Sequence, residues 1–486
     1  MHREPVAASA LILRRAPDDD RLFMARRARG MRFFGSVYAF VGGRVDDADR
    51  RLGGDDRTTV LRSALVREMC EELGLDLRSG RRRPVDPAWR RALIDGRVDW
   101  SEECTVSELE DVGDPVLRLV TPAFYPRRFD TRFFLGTLGE RAMGDLQPEE
   151  LEDSDWDTAH GWLERFDRGH VALAPPNVLT LRAIRGLPFE AWPDALTALQ
   201  REIDGPAPQP IWNNPAVQLL ALRTPTLPPA EHTNTYVVGR DPAYVIDPAT
   251  PHADEQHALA LALRRARDEG RRLRAVLLTH HHPDHVGAVP FVRHTFDLPV
   301  WAHAETAARV DFAVDRTLAD GERLELGHGP DGRGDWWLEC HFTPGHAPGH
   351  LCFFEDRYGS LIAGDMVSTV SSILIDPADG NLDSYMSGLE RLAELDVQVV
   401  FPAHGPADAR GTKVLADQIA HRRERERAVL EAVVQGARTV DTITRRVYVD
   451  VPDSMHELAA RSVQSILASL ERRQRIRSRG DEVLPA

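Results

Sequence analysis

The segment Thr279-His280-His281-His282-Pro283-Asp284-His285-Val286-Gly287 gathers imidazoles and a carboxylate into one short stretch. In an extended chain alternate side chains share a side, so His280 and His282 turn toward one ion while His281 points away. Asp284 and His285 fall on the turn that follows and can serve a second ion. Clustered imidazoles are poor core material, and holding a transition metal is their ordinary use. Three further ligand types follow: His346 in Thr343-Pro-Gly-His346-Ala-Pro-Gly-His350, Asp365 in Ala363-Gly-Asp365, and His404 in Pro402-Ala-His404-Gly405. Alone, each reads as a satisfied turn residue; as a set, they sit where apolar strands end. Two cations about 3.5–4 Å apart would sharpen a water for attack and stabilise the developing charge. Asp284 is the candidate catalytic residue of this group. Nitrogen and oxygen ligands suit two Zn²⁺, with Mn²⁺ or Fe as alternatives. His350 receives no role.

A second constellation lies in Arg67-Glu68-Met69-Cys70-Glu71-Glu72-Leu73-Gly74-Leu75. Glu68, Glu71 and Glu72 stand at i, i+3 and i+4, so three carboxylates share one helical face. Like charges at that spacing repel unless a cation sits among them, and hard oxygen ligands favour Mg²⁺ or Mn²⁺, which clamp phosphate oxygens. Glu71 and Glu72 are the candidate catalytic residues here, with Glu68 beside them as a metal ligand and Arg67 available to orient one of the three. The plain alternative is a solvated acidic helix face.

These residues require elements to hold them. The first part of the chain alternates a strand over 6–13, a helix over 58–73 and a strand over 129–135, with Thr58 or a neighbouring Asp as N-cap and Gly74 as left-handed C-cap. The middle alternates strands at 216–222, 235–238, 275–278, 361–363 and 397–401 with helices, which signals an α/β sheet carrying its chemistry on strand-end loops. Proline-dense Asp204-Gly-Pro-Ala-Pro-Gln-Pro210 marks a seam. Beyond Pro402-Ala-His-Gly-Pro406 the pattern becomes helical and charged, with helices at 440–447 and 454–470. The expected division is 1–205, a linker at 206–214, 215–410 and 411–486. The charged pieces Asp18-Asp-Asp20 and Arg81-Arg-Arg83 read as solvated loops.

Composition narrows the function classes. The 486 residues are 42% hydrophobic and 28% charged, enough for several cores. Four cysteines, Cys70, Cys104, Cys340 and Cys352, cannot frame so long a chain, which suggests a reducing, cytoplasmic setting. No apolar run approaches a membrane span, and 6–13 is too short for a signal-peptide core. A net charge of −15 opposes general attraction to nucleic acid or anionic lipid. Lys413 is the only lysine and lies outside any glycine-rich frame, which removes P-loop and pyridoxal chemistry.

The carboxylate helix, preceded by Val41-Gly42-Gly43, resembles the Nudix box. It departs from the common form in Val for Pro, in a lengthened loop from Gly43 to Arg67, and in Asp46 and Asp49 where Glu is usual. The long loop, Arg128-Phe-Asp-Thr-Arg-Phe-Phe134 and Leu173-Ala-Pro-Pro176 are similar to the coenzyme A diphosphatase branch. The resemblance implies an α/β/α sandwich hydrolysing a nucleoside diphosphate derivative with Mg²⁺ or Mn²⁺. The histidine pattern resembles the metallo-β-lactamase fold, an αββα four-layer sandwich. That resemblance implies one site of His280, His282 and His346, a second of Asp284, His285 and His404, and Asp365 bridging them. A ligand cysteine, usual in the commonest β-lactamases, is missing, so a β-lactam is not the expected substrate.

The tail from 411 has about 14 basic against 11 acidic residues and resembles the winged-helix appendage of the branch containing an RNA endonuclease and acyl-carrier thioesterases. Thr233-Asn-Thr-Tyr236 is similar to that branch's opening strand. The expected whole is an α/β and α+β multidomain, two-headed hydrolase acting on small molecules, with a thioester or ester such as acyl-coenzyme A favoured at the second site. Single-stranded RNA cleavage, with the first domain trimming or sensing a nucleotide, is the alternative. The tail reads as a packing or homodimerising cap in preference to an RNA contact.

Overall fold

The computed structural model describes residues 6–15, 20–28, 37–125, 127–138, 145–449, 451–452 and 455–486. Asp18, Asp19 and Ser454, named above, lie outside them. Two compact units are present: 1–206 with 212–215, and 207–211 with 216–486.

In the first unit a mixed sheet runs in the order Tyr38–Ala39, Leu22–Arg27, Val6–Arg15, Phe129–Leu138, Leu117–Val120, with Leu151–Asp157 also paired to Leu22–Arg27. Val6–Arg15 is parallel to Phe129–Leu138, Val6 opposite Phe129 and Arg15 opposite Leu138. Side-chain alternation feeds two cores. Leu22 and Met24 join Ile12, Trp162, Leu181 and Leu196 on one face. Phe23 and Ala25 join Leu11, Leu65, Met69 and Phe134 on the other. The helix Arg57–Leu73 carries Leu65 and Met69; Asp56 caps it through Thr58 N, and Gly74 ends it at φ +58°. Its Val66 and Cys70 enter a further cluster with Trp100 and Leu109, so little of the helix meets solvent. Within the stretch expected as linker, Trp212 is buried in the first unit's core under the Arg182 guanidinium. Proline density did not foretell this anchor.

The second unit contains two sheets. One includes, in order, Arg316–Leu318, Val300–His303, Leu273–Leu277, Ala243–Ile246, His232–Gly239 and Val217–Arg223. The other runs Arg323–Gly327, Trp336–Phe342, Leu351–Glu355, Ser360–Ser368, Val399–His404. The first is backed by the helices Ala253–Asp268 and Val289–Phe296 through Leu259, Leu263 and Val292. The second is backed by Leu382–Leu392 and Thr412–Val434 through Leu389 and Leu415. Between the sheets, Tyr236 donates to Pro402 O at 2.5 Å and its ring meets Phe401 edge-on. The result is helix, sheet, sheet, helix. The helices Val440–Val447 and His456–Arg472 and the hairpin Ile476–Arg479/Glu482–Pro485 follow, their Ile443, Val463 and Ile476 continuing the same core.

Candidate metal centre

The histidines and aspartates singled out in the second unit lie on strands or on the connections that follow them. The strand Leu273–Leu277 delivers His280 and His282, and the short helix Pro283–Val286 carries Asp284 and His285. His346 lies on the connection from Trp336–Phe342 to Leu351–Glu355, Asp365 within Ser360–Ser368, and His404 at the end of Val399–His404.

Two groups of side chains converge. His282 Nδ1 lies 3.0 Å from His280 Nε2 and 2.9 Å from His346 Nε2. Asp284, His285 and His404 form a second cluster, with His404 Nε2 3.7 Å from Asp284 Oδ2. Asp365 stands between them. Its Oδ2 is 3.2 Å from His346 Nε2, while Oδ1 is 3.4 Å from His404 Nε2 and 3.5 Å from His285 Nε2.

The outward nitrogens are all engaged. His280 Nδ1 meets Thr279 Oγ1 at 3.0 Å, His282 Nε2 meets Asp379 Oδ2 at 2.9 Å, and His285 Nδ1 meets Asp247 Oδ2 at 2.8 Å. His346 Nδ1 and His404 Nδ1 meet the carbonyls of Leu374 and His232 at 2.9 and 3.0 Å. Each acceptor holds the ring proton on the outer nitrogen and leaves the inward nitrogen as a lone pair, the arrangement a metal-ligating histidine needs. Lone pairs aimed at one another at 3 Å are unfavourable without a shared cation. Consistently, His285 Nε2 and Asp365 Oδ1 are buried with no hydrogen-bond partner. The donor set therefore fits two divalent cations, one at each group, with Asp365 available to both.

Electrostatics divide the rings: burial would lower His285 and His404, but Asp365 outweighs it and raises both, whereas burial lowers His280 and His346. Burial, then the neighbouring His285, His282 and His346, pushes His280 well below the usual imidazole range, so it stays neutral. Burial alone would raise Asp365, but His404, His346 and His285 outweigh it and hold the carboxyl well below the usual range. His350, without a role in the sequence reading, accepts from the Asp365 N–H at Nε2, 3.0 Å away, and binds Thr343 Oγ1 at 2.9 Å. It positions the backbone of Asp365. His281 lies 3.5 Å from Asp379 and outside both groups.

Asp247 and Asp379 were missed by sequence reasoning. Asp247 follows the strand Ala243–Ile246 at φ +48° and accepts from Thr279 N and Thr279 Oγ1 as well as from His285. Its one sequence signal is an acidic residue at the end of an apolar strand.

In the first unit, Arg67 is central. Its guanidinium reaches Glu71 at 2.8 Å, Glu68 at 3.1 Å, Asp49 at 3.0 Å and the Arg44 carbonyl at 2.9 Å. Asp49 is fully buried and also accepts from Ser63, and Asp46 caps the helix Asp47–Gly53. Glu72 accepts from Gly42 N at 3.1 Å. A β-carbon on Gly43 would overlap the Glu68 carboxyl. Burial, reinforced by Glu150, raises Glu72 to about 7, and burial raises Glu68 and Glu71 as well. Unlike the histidine groups, the three glutamates are divided: Glu68 and Glu71 share the Arg67 guanidinium, and Glu72 is drawn to Gly42. Among the described residues, every set of three ligand atoms converging within 4.8 Å belongs to the second unit.

Both matching family models fall within the second unit. Residues 228–404 match the metallo-β-lactamase superfamily, and residues 439–483 match the β-lactamase-associated winged helix domain. The lactamase-like protein vrtG of Penicillium aethiopicum is 29% identical over 258 residues, covering 51% of this chain and 78% of that protein. An atrochrysone carboxyl ACP thioesterase of Aspergillus fumigatus is 27% identical over 202 residues, 41% of this chain and 59% of its own. The crystal structure of a NUDIX hydrolase from Alicyclobacillus acidocaldarius is 26% identical, covering 40% of this chain and 97% of that one, with a TM-score of 0.34. Among the described residues no helix is long and apolar enough to cross a membrane. The chain thus carries a metallo-β-lactamase domain with its associated C-terminal winged helix, the makings of a metal-dependent hydrolase.

Proposed function

We propose that the second unit hydrolyses small thioesters or esters at a dinuclear centre held by His280, His282 and His346, by Asp284, His285 and His404, and by Asp365 between them. The observation that carries this reading is the placement of Asp365, whose two oxygens face the two histidine groups separately. Cations held there would supply Lewis acidity and an activated water. The protein's own part is to orient the rings through Asp247, Asp379, Thr279 and two carbonyls, and to keep His280 and His346 neutral by burial. The thioester preference is supported by the name of the A. fumigatus relative. Zinc-loaded protein is expected to hydrolyse acyl thioesters and leave single-stranded RNA intact. Cleavage of RNA without thioester hydrolysis would replace this reading with the nuclease one.

The first unit we read as a Nudix-type pyrophosphatase using Mg²⁺ or Mn²⁺ on a nucleoside diphosphate derivative. Its support is the buried Arg67–Glu68–Glu71 network beside Glu72 and Gly42. Nucleoside monophosphate and the phosphorylated second product formed from a panel of such compounds, lost in Glu71→Gln, test it; an activity unchanged in that variant removes it.

A further inference from the structure

A cleft of about 620 Å³ opens on the metal centre, with His282, Asp284, His346, Asp365 and His404 at one end. Its other walls are largely apolar. They include Leu227, a large side chain left 51% exposed, and Tyr448, Met455, Leu458 and Ile466 of the C-terminal segment. Such a volume and lining suit a drug-sized organic molecule and exceed what a water or a small acid needs.

Three arginines, Arg422, Arg425 and Arg461, interrupt the apolar wall, as do Asp376 and Asp379. Arg422 and Arg425, one turn apart on the helix Thr412–Val434, both line the cleft. Arg422 donates to the Ile373 carbonyl and lies 5.1 Å above the Tyr385 ring. Arg425 donates to the Val447 carbonyl at 2.9 Å and lies 4.7 Å above the Tyr448 ring. Among the described residues neither has a carboxylate within ion-pair distance. Arg423, between them in sequence, pairs with Glu390 at 2.8 Å, and Arg461 across the cleft pairs with Asp376 and Glu457. In a chain of net charge −15, two half-buried guanidiniums without a carboxylate among the described residues stand out. An unpaired charge against apolar surface is costly, and an arginine fork is the group that recognises planar oxyanions.

We infer that this cleft selects a thioester or ester whose apolar arm carries an oxyanion, received by Arg422 and Arg425, while the scissile carbonyl lies at the metals. The inference rests on the hydrolase reading above. The shared chemistry is the oxyanion; its two sources are a carboxylate on the acyl arm and a phosphate on the thiol carrier.

Three substrates separate them: octanoyl and suberyl thioesters of N-acetylcysteamine, and octanoyl-coenzyme A, each with the zinc-loaded full chain. One of the two anionic substrates is expected to exceed the neutral one in kcat/KM by about 10-fold or more. A suberyl preference assigns the acyl carboxylate, and a coenzyme A preference assigns the carrier phosphate. In Arg425→Gln and Arg422→Gln the anionic-to-neutral ratio falls toward one through KM. Arg425→Lys keeps part of it, and Arg423→Gln, outside the cleft, keeps all of it. The ratio is taken within one protein, so a loss of folded fraction cancels. Equal rates on all three substrates in wild type, or ratios unchanged in both Gln variants, overturn the inference. If no thioester is hydrolysed, the proposed function itself fails, and dissociation constants of the same three compounds decide the anion site by the same ratio.

Discussion

Asp379 Oδ2 lies 2.9 Å from His282 Nε2, on the far side of the ring from the Nδ1 that faces His280 and His346. The two residues are 97 positions apart. A carboxylate in that position fixes the ring's tautomer and raises the basicity of the inward nitrogen. In Asp379→Ala zinc affinity is expected to fall about 10–100-fold. Activity titrated against buffered free zinc should show the shift, with most of the rate recovered at saturation. An unmoved titration curve would mean that His282 is oriented by its neighbours alone.

The wild-type chain should bind about two transition-metal ions in the second unit. Asp284→Ala is expected to abolish nearly all thioester hydrolysis and to lower the zinc content measured by elemental analysis. Dialysis against a chelator should abolish the activity and added zinc restore it. Full activity in Asp284→Ala would remove this residue from the centre.

Gly43→Ala should displace the Glu68 carboxyl, because the new methyl group occupies its place. Pyrophosphatase activity of the first unit is expected to disappear while thioester hydrolysis by the second continues. Retained pyrophosphatase would show that Glu68 has freedom to move aside.

Asp130 gives the first unit an acid-sensitive tie. Burial alone would raise its pKa, but Arg118, Arg132 and Arg57 gathered on its carboxyl bring it down to about 2. A depressed carboxyl stabilises the fold above its unfolded value of 3.8, and that contribution disappears as pH falls through the folded value. After allowance for solvent screening it is worth about 1–2 kcal/mol. Thermal unfolding followed down to about pH 2 should show a flatter acid limb in Asp130→Asn than in wild type. Identical limbs would place the acid sensitivity elsewhere.

Asn234 donates 2.8 Å hydrogen bonds to the carbonyls of both Pro402 and Gly405, which flank His404 closely. Asn234→Ala leaves the buried Gly405 carbonyl short of a partner, at a cost of about 1–3 kcal/mol. A lowered melting temperature together with reduced zinc content is expected; a change in melting alone would mean that His404 is held independently of this loop.

The histidine groups were legible in sequence because imidazole is scarce and costly to bury, so several together at strand ends have few other uses. The helix over 58–73 was legible for a different reason: Asp56, the apolar repeat and Gly74 all agree on one element. Asp247, Asp379 and the positioning role of His350 were not. An aspartate after a strand or in a loop is commonplace, and only the fold brings Asp379 across 97 positions to His282. The run Arg422-Arg-Glu-Arg-Glu-Arg427 is charged at every position. Which of its arginines turn inward depends on how the helix Thr412–Val434 packs, through Leu415 and Val429, and composition carries no trace of that rotation. In the first unit the glutamates were legible as a group, but their separation among Arg67 and Gly42 was not, because it depends on a loop whose path the spacing leaves open.

All seven proposed ligands precede residue 405, whereas Arg422, Arg425, Tyr448, Met455 and Ile466 of the cleft follow it. On the proposed reading, reactivity lies in the earlier length of the chain and much of the selectivity in the later one, with Leu227 an exception. Exchange of Tyr448, Met455 and Ile466 on the cleft wall would redirect which molecules are accepted and leave all seven proposed ligands in place.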